Sequence, residues 1–209
     1  TTTQISGFLA QQLTALTTTQ FSVLSTSQLG SLNSKQIKGI STTNMAALST
    51  AQLTGLASTQ ITALASAQLN ALGTINLASL STTQFGGISS VQLKGINTTN
   101  FAALTTTQIG GLTTTQMKAL TASQVGVLTT MQFGSISSTQ LGVLSALQLK
   151  GLNTTNIAGM STSQFGGITS TQLKALSTTQ FVAISTTNIG GLSTTQILGL
   201  TSQQLKAIT

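Results

Sequence analysis

Hydrophobic and polar positions repeat every eight residues along the whole chain. Counted from Thr1, position 4 of each octad is Gln or Asn in all 26 copies, positions 5 and 8 are apolar, and position 7 is Gly, Ala, Ser or Val. Position 1 is nearly always Ser or Thr, and residues 104–112 show the pattern as L-T-T-T-Q-I-G-G-L. A fixed internal period of this kind is typical of a stacked repeat architecture.

The spacing of the two apolar positions argues against a single regular element. In a strand, residues three or five apart point to opposite faces, so positions 5 and 8 would not share a face. In one continuous helix, eight residues turn through about 800°, and the apolar pair would drift by about 80° per octad. Supercoiling does not correct a drift of that size.

A short helix that restarts in every octad satisfies each position. Ser or Thr followed three residues later by Gln is a capping box, and the apolar residues before the cap and at the fourth helical position form a hydrophobic staple. Asn97, Asn153 and Gly73 are acceptable caps, whereas the caps at Leu9, Ala57 and Ala65 are poor. Gly and Ala near the end of each octad let the chain leave the helix and let backbones approach. The pattern predicts an all-α solenoid of short capped helices, one per octad, with a β-solenoid as the alternative.

One octad cannot fold alone, because two buried apolar side chains do not offset the entropy of ordering eight residues. The octads must therefore stack, and the uniform composition predicts one repeat domain over residues 1–209. A longer unit of 56 residues appears from about residue 33, as residues 38–48, 94–104 and 150–160 read K-G-I-S-T-T-N-M-A-A-L, K-G-I-N-T-T-N-F-A-A-L and K-G-L-N-T-T-N-I-A-G-M. The chain opens and closes inside the repeat, which suggests an excised portion or a processed product.

The lysines add a geometric expectation. From Lys94 on, through Lys118, Lys150, Lys174 and Lys206, successive lysine-bearing octads are three, four, three and four octads apart. Residues on one side of a superhelix with 3.5 octads per turn recur alternately after three and four octads. Tandem duplication of the 56-residue unit explains the 56-residue period. The alternating spacing of three and four octads between lysines predicts a superhelix of about 28 residues per turn, with lysines along one stripe and helices about 8–10 Å apart.

Composition excludes most chemistry. The net charge of +7 comes from seven Lys, because the chain has no Asp, Glu, His, Cys, Trp, Tyr or Arg. General acid–base catalysis and metal binding need side chains that are missing here, and Lys35 and Lys38, the one close pair, are expected at the surface. We predict no enzyme activity and no catalytic, cofactor-binding or metal site. Dispersed lysines without aromatic readers argue against nucleic-acid binding, and no apolar run is long enough for a membrane span.

Two polar features have both a structural and a functional interpretation. The Gln or Asn at position 4 is expected to cap helices, and the alternative is an outward ladder that binds a partner or glycan. The Thr residues at positions 2 and 3 form the best candidate array for binding ice, glycan or another surface, although such residues also serve as soluble helix starts. The terminal octads look like all the others and lack the polar caps of most solenoids, which predicts a homo-oligomer or polymer.

The run L-[ST]-T-x-Q-[FIL]-x-[AG]-L resembles octapeptide tracts of very large bacterial exoproteins that are commonly labelled as adhesion or haem-utilisation proteins. This resemblance implies a structural segment at the cell surface or outside the cell, and it transfers no binding residue. Haem binding gains no support, because only Met45, Met117, Met131 and Met160 offer axial ligands. We therefore expect a structural repeat protein, either a self-assembling fibre subunit or an adhesin stalk, with a cell-surface glycan as a second candidate partner.

Overall fold

The computed structural model of the chain describes residues 1–207, which fold into 26 short α-helices without a strand in that part of the chain. Each octad contributes one helix of four to seven residues. The prediction of an all-α solenoid with one helix per octad is confirmed. The helices form two compact units, residues 1–104 and residues 105–209. The expectation of a single domain over residues 1–209 stays a prediction.

The first unit contains thirteen helices. Their bounds are α1 Thr2–Ser6, α2 Ala10–Ala15, α3 Thr18–Ser22, α4 Thr26–Gly30, α5 Ser34–Lys38, α6 Thr42–Ala46, α7 Thr50–Leu53, α8 Ser58–Ala63, α9 Ser66–Ala71, α10 Gly73–Ser79, α11 Thr82–Gly86, α12 Ser90–Lys94 and α13 Thr98–Ala102.

The second unit also contains thirteen helices within its described part. Their bounds are α14 Thr106–Gly110, α15 Thr114–Ala119, α16 Ala122–Gly126, α17 Thr130–Gly134, α18 Ser138–Gly142, α19 Ala146–Lys150, α20 Thr154–Ala158, α21 Thr162–Gly166, α22 Ser170–Ala175, α23 Thr178–Val182, α24 Thr186–Gly190, α25 Thr194–Leu198 and α26 Ser202–Lys206.

Capping boxes start most of the helices, as predicted. At α23, the amide of Gln180 donates to Ser177 Oγ at 3.1 Å, and the amide of Ser177 donates to Gln180 Oε1 at 3.1 Å. At Leu9, Ala57 and Ala65, only the glutamine half of the box forms, because these side chains have no acceptor. The expected cap at Gly73 is wrong, since α10 begins at Gly73 itself with a φ of 74° and without a side-chain cap.

The helices do not end through left-handed glycines. Gly73 is the only residue with positive φ in the described part of the chain, and the residue at position 7 keeps a right-handed helical conformation in most octads, as at Gly167. The small residues instead permit close backbone packing. A Cβ built on Gly55, at position 7, would lie 2.8 Å from Thr26 Cα. The expected backbone approach is confirmed, whereas the expected role of glycine in leaving the helix is not.

The core of each unit consists of the apolar side chains at positions 5 and 8, as predicted. In the second unit, Leu141, Leu149, Leu173 and Phe181 at position 5 are fully buried. Helices three octads apart are in contact, as α19 with α22 and α22 with α25. Side-chain hydrogen bonds also join residues 28 apart within each unit. One turn therefore takes 3.5 octads, which confirms the turn of about 28 residues expected from the lysine spacing.

Candidate functional site

The glutamine at position 4 uses both ends of its amide. In α22, Gln172 Oε1 accepts from the backbone amide of its own cap, Thr169, at 2.7 Å. Its Nε2 donates to the carbonyl oxygens of Leu144 at 2.7 Å and Leu141 at 2.9 Å, in the preceding turn. The side chain is only 4% exposed. One amide thus starts its own helix and joins that helix to the turn before it.

The same inter-turn bond recurs through both units. Each glutamine donates to the carbonyl 28, 30 or 31 residues earlier, and several donate to two or three of these carbonyls. The glutamines are Gln36, Gln52, Gln60, Gln68, Gln84 and Gln92 in the first unit, and Gln140, Gln148, Gln164, Gln172, Gln180, Gln196 and Gln204 in the second. These side chains are buried, so the alternative of an outward glutamine ladder is wrong for them.

The carbonyl at position 8 depends on this side chain. No backbone amide in the described chain donates to the carbonyl of Leu144. Gln172 Nε2 is its donor. A buried carbonyl without a donor costs about 1–3 kcal/mol. The glutamine therefore satisfies an acceptor that the octad architecture itself creates.

Position 4 has two roles, to accept from the cap amide and to donate to a carbonyl one turn earlier, and the asparagine at Asn156 keeps only the second. Asn156 Nδ2 donates to the carbonyl of Leu128 at 2.8 Å, 28 residues earlier. Its side chain is one methylene shorter than glutamine, and α20 has no capping box. Asn156 Oδ1 is buried without a partner among the described residues. The inter-turn donor is retained and the capping acceptor is lost.

The sequence held a signal for the donor role. Position 4 contains Asn at Asn44, Asn76, Asn100, Asn156 and Asn188 and Gln in the other octads. No capping box forms in the helices that carry these five asparagines. Gln and Asn share an amide donor, so the recurrence of Asn at a position predicted to cap helices indicates a donor role as well.

The first turn presents amides without acceptors. Gln12, Gln20 and Gln28 accept from their cap amides, as in the other octads, and Gln4 accepts from the N-terminal ammonium group of Thr1. No octad of the described chain precedes them by one turn, and their Nε2 groups have no acceptor in residues 1–207. Gln4, Gln12 and Gln20 are exposed, and Gln28 is half-buried.

The last turn presents the opposite groups. The carbonyls of Ile184, Leu192 and Leu200 stand at position 8 and receive no donor from the described residues. The apolar side chains there are also less covered than elsewhere in the second unit. Ile197 is 48% exposed and Leu205 is 43% exposed, although both occupy the position 5 that is otherwise buried.

The lysines lie at the surface, as expected. Lys38, Lys94, Lys118, Lys150, Lys174 and Lys206 occupy position 6, while Lys35 occupies position 3, and all seven are exposed. In the second unit, Gln148 bonds the octad of Lys150 onto that of Lys118, through the carbonyls of Met117 and Leu120. Helix α19, which carries Lys150, contacts α22, which carries Lys174. These lysines therefore lie on successive turns.

Two shallow grooves between turns are lined by hydroxyl groups. In the second unit, the groove of about 420 Å³ lies among Thr169, Ser170, Ser193 and Thr195. In the first unit, a groove of about 330 Å³ lies among Ser58, Ser79, Ser81 and Thr83. The two grooves use corresponding positions of the octads. They are the features that most nearly fit the predicted threonine-rich binding face.

The absence of catalytic, cofactor-binding and metal sites stays a prediction from composition. Of the helices in residues 1–207, none is long and apolar enough to cross a membrane.

One known repeat family matches part of the chain. The sequence model of the ALTTAQ repeat matches residues 87–122, 95–130 and 147–178. The chain is similar to this repeat over those residues, which supports a structural tandem-repeat protein. No curated protein matches the chain.

Proposed function

We propose that this chain is a structural element that assembles end to end, as the subunit of an extracellular or cell-surface fibre. The observation that supports this proposal is the complementarity of its two end surfaces. The first turn offers the amide donors of Gln4, Gln12, Gln20 and Gln28, while the last turn offers carbonyl acceptors. Inside each unit, the same pair of groups forms the bond that joins successive turns.

The spacing of the groups also matches. Gln4, Gln12 and Gln20 recur every eight residues, and so do the carbonyls of Ile184, Leu192 and Leu200. A second copy that stacks on the last turn places the three amides opposite the three carbonyls, in the order found within a unit. The same contact covers the apolar side chains of Ile197 and Leu205, and removing apolar surface from water favours association.

Head-to-tail contacts of this kind use different surfaces on the two partners, so they propagate into a filament unless the rotation closes a ring. In a longer tract of the same repeat, further octads would form the same bonds, and the segment would serve as the stalk of an adhesin. The resemblance to octapeptide tracts of bacterial exoproteins supports both versions and the location outside the cell. Neither version requires enzyme activity.

Electron microscopy and sedimentation of the 209-residue chain over a range of concentrations test the proposal. The informative variant is Gln4→Glu/Gln12→Glu/Gln20→Glu, because Glu keeps the acceptor of the capping box and lacks the amide donor. The matched control is Thr3→Glu/Gln11→Glu/Thr19→Glu, which makes the same charge change on the same three helices at exposed positions.

We expect filaments from the unchanged chain and the control, and monomers from the informative variant. Monomers of the unchanged chain at every concentration would overturn self-assembly and leave the stalk. Filaments of the informative variant at the same concentrations as the control would show that the amides do not form the contact.

The hydroxyl-lined grooves favour a second candidate, a binding module that uses a threonine-rich face for ice, glycan or another surface. Thermal hysteresis or binding on a glycan array by the monomer tests it. Replacing Thr195 by Val, which keeps the shape and removes the hydroxyl, should abolish glycan binding if the groove in the second unit is the site.

A further inference from the structure

We propose that Lys118, Lys150 and Lys174, called here the lysine stripe, form a binding surface for an acidic polysaccharide. This surface lies on the side of the second unit and does not involve the end surfaces. Gln148 bonds the octad of Lys150 directly onto the octad of Lys118. Helices α19 and α22, which carry Lys150 and Lys174, are in contact.

The three charges fall on one side because of the turn geometry. One octad advances about two-sevenths of a turn, since a turn takes 28 residues. Steps of four and three octads, from Lys118 to Lys150 and on to Lys174, therefore return to nearly the same side. Packed helices lie about 8–10 Å apart, so the stripe presents one cation per turn, with successive lysines separated by at least about that distance and offset by about one-seventh of a turn. Lys206 continues the series on α26.

The chain itself offers no carboxylate side chain to neutralise the stripe. The sequence has no Asp or Glu, and the three lysines are exposed. At physiological salt, the Debye length of about 8 Å is close to the spacing of the lysines, so neighbouring charges still act together on a polyanion. An extended anion that lies along the stripe would meet several of them at once.

The spacing selects the class of polyanion. Double-stranded DNA carries one charge per about 1.7 Å, so one lysine per turn would neutralise only a small fraction of its phosphates. The chain has no Arg, Trp or Tyr, and the phenylalanines of the second unit, Phe133, Phe165 and Phe181, are buried, so the described part of that unit has no exposed aromatic side chain for stacking on bases. A polysaccharide with one carboxylate per disaccharide has a sparser charge, and its hydroxyls suit the Ser- and Thr-rich surface.

Relocating the charges tests the stripe at constant net charge. Lys118→Gln/Lys150→Gln removes two charges, and Lys118→Gln/Lys150→Gln/Gly134→Lys/Gly190→Lys restores them elsewhere. A Cβ on Gly134 or Gly190 would meet no atom within 4 Å, and both glycines are exposed. Each lies two octads, or about four-sevenths of a turn, from an octad of the stripe, so the new lysines face the other side. Circular dichroism checks that both variants fold.

Binding to hyaluronate, with neutral dextran and duplex DNA as comparisons, is measured by calorimetry at 50 and 200 mM NaCl, at concentrations where the chain is monomeric. We expect binding to hyaluronate that weakens with salt, no binding to dextran, and a loss of at least ten-fold in both variants. Equal affinity of the relocated variant and the unchanged chain would overturn the stripe. The absence of hyaluronate binding, or tighter binding to DNA, would overturn the proposed partner.

Discussion

Gln172 and Leu144 lie 28 residues apart and are joined by a hydrogen bond of 2.7 Å, from the side-chain amide Nε2 to the backbone carbonyl oxygen. The same side chain accepts from the amide of Thr169, at the start of its own helix. Local structure and the packing of successive turns therefore depend on one residue type at one position of the octad. This coupling makes the position more sensitive than a helix cap alone.

Replacing Gln172 with Ala should destabilise the fold by about 2–4 kcal/mol, because a lost cap costs about 1 kcal/mol and a buried carbonyl left without its donor costs about 1–3 kcal/mol. Gln12→Ala is the matched control, since Gln12 caps α2 and has no inter-turn acceptor. It should cost about 1 kcal/mol or less. Chemical unfolding of both variants measures the difference, and equal losses would contradict the inter-turn role.

Replacing Asn156 with Gln should stabilise the fold by about 1 kcal/mol. The longer side chain can reach the amide of Asn153 while keeping the bond to Leu128, and it removes the buried acceptor without a partner. Shortening Gln172 to Asn should have the opposite effect. A destabilised Asn156→Gln variant would mean that this octad has no room for the extra methylene.

Adjacent glycines should respond to alanine in opposite ways. A Cβ on Gly166 meets no atom within 4 Å, so Gly166→Ala should stabilise α21 by about 0.5–1 kcal/mol through helix propensity. A Cβ on Gly167 would lie 2.8 Å from Ser138 Cα, so Gly167→Ala should destabilise the fold by about 1–3 kcal/mol. Thermal unfolding of the pair measures both, and effects of the same sign would contradict the close approach of these turns.

Truncation of the core at position 5 should be far more costly than truncation at an exposed position. Leu173 is fully buried, and Leu173→Ala should cost about 2–5 kcal/mol. Leu198 is 83% exposed at position 6, and Leu198→Ala should change stability by less than about 0.5 kcal/mol. Hydrogen exchange should locate the loss at Leu173 in the octads that contact α22, namely those of α19 and α25.

The octad itself was sufficient to predict the helices and the core, because the capping box, the staple and the apolar pair all act within one repeat. The lysine spacing also predicted the turn of 28 residues. The partner of Gln172 Nε2 was not predicted, since a contact across 28 residues requires the geometry of the turn. The composition of position 4 was the available signal, but it does not identify the acceptor.

The glycine positions show a similar limit. Small residues at position 7 predict a close approach of backbones, and Gly167 does approach the backbone of Ser138. A Cβ on Gly166, at position 6, would meet no atom within 4 Å, whereas a Cβ on Gly142, also at position 6, would lie 2.9 Å from the carbonyl oxygen of Gly167. Which of two glycines meets another turn depends on the stagger of the helices, and the octad alone does not encode that stagger. The exposed end groups are likewise visible only when the turns are assembled.

The turn of 3.5 octads determines how the solenoid would carry tension. The octad of α22 is hydrogen-bonded through Gln172 to the octad of α18, and α22 also contacts α19. It therefore bridges two neighbouring octads of the preceding turn. A pull along the axis would be shared among three or four amides in each turn. Two turns can separate only if the glutamine hydrogen bonds between them break one after another around the turn. Unfolding under tension should therefore proceed one turn at a time.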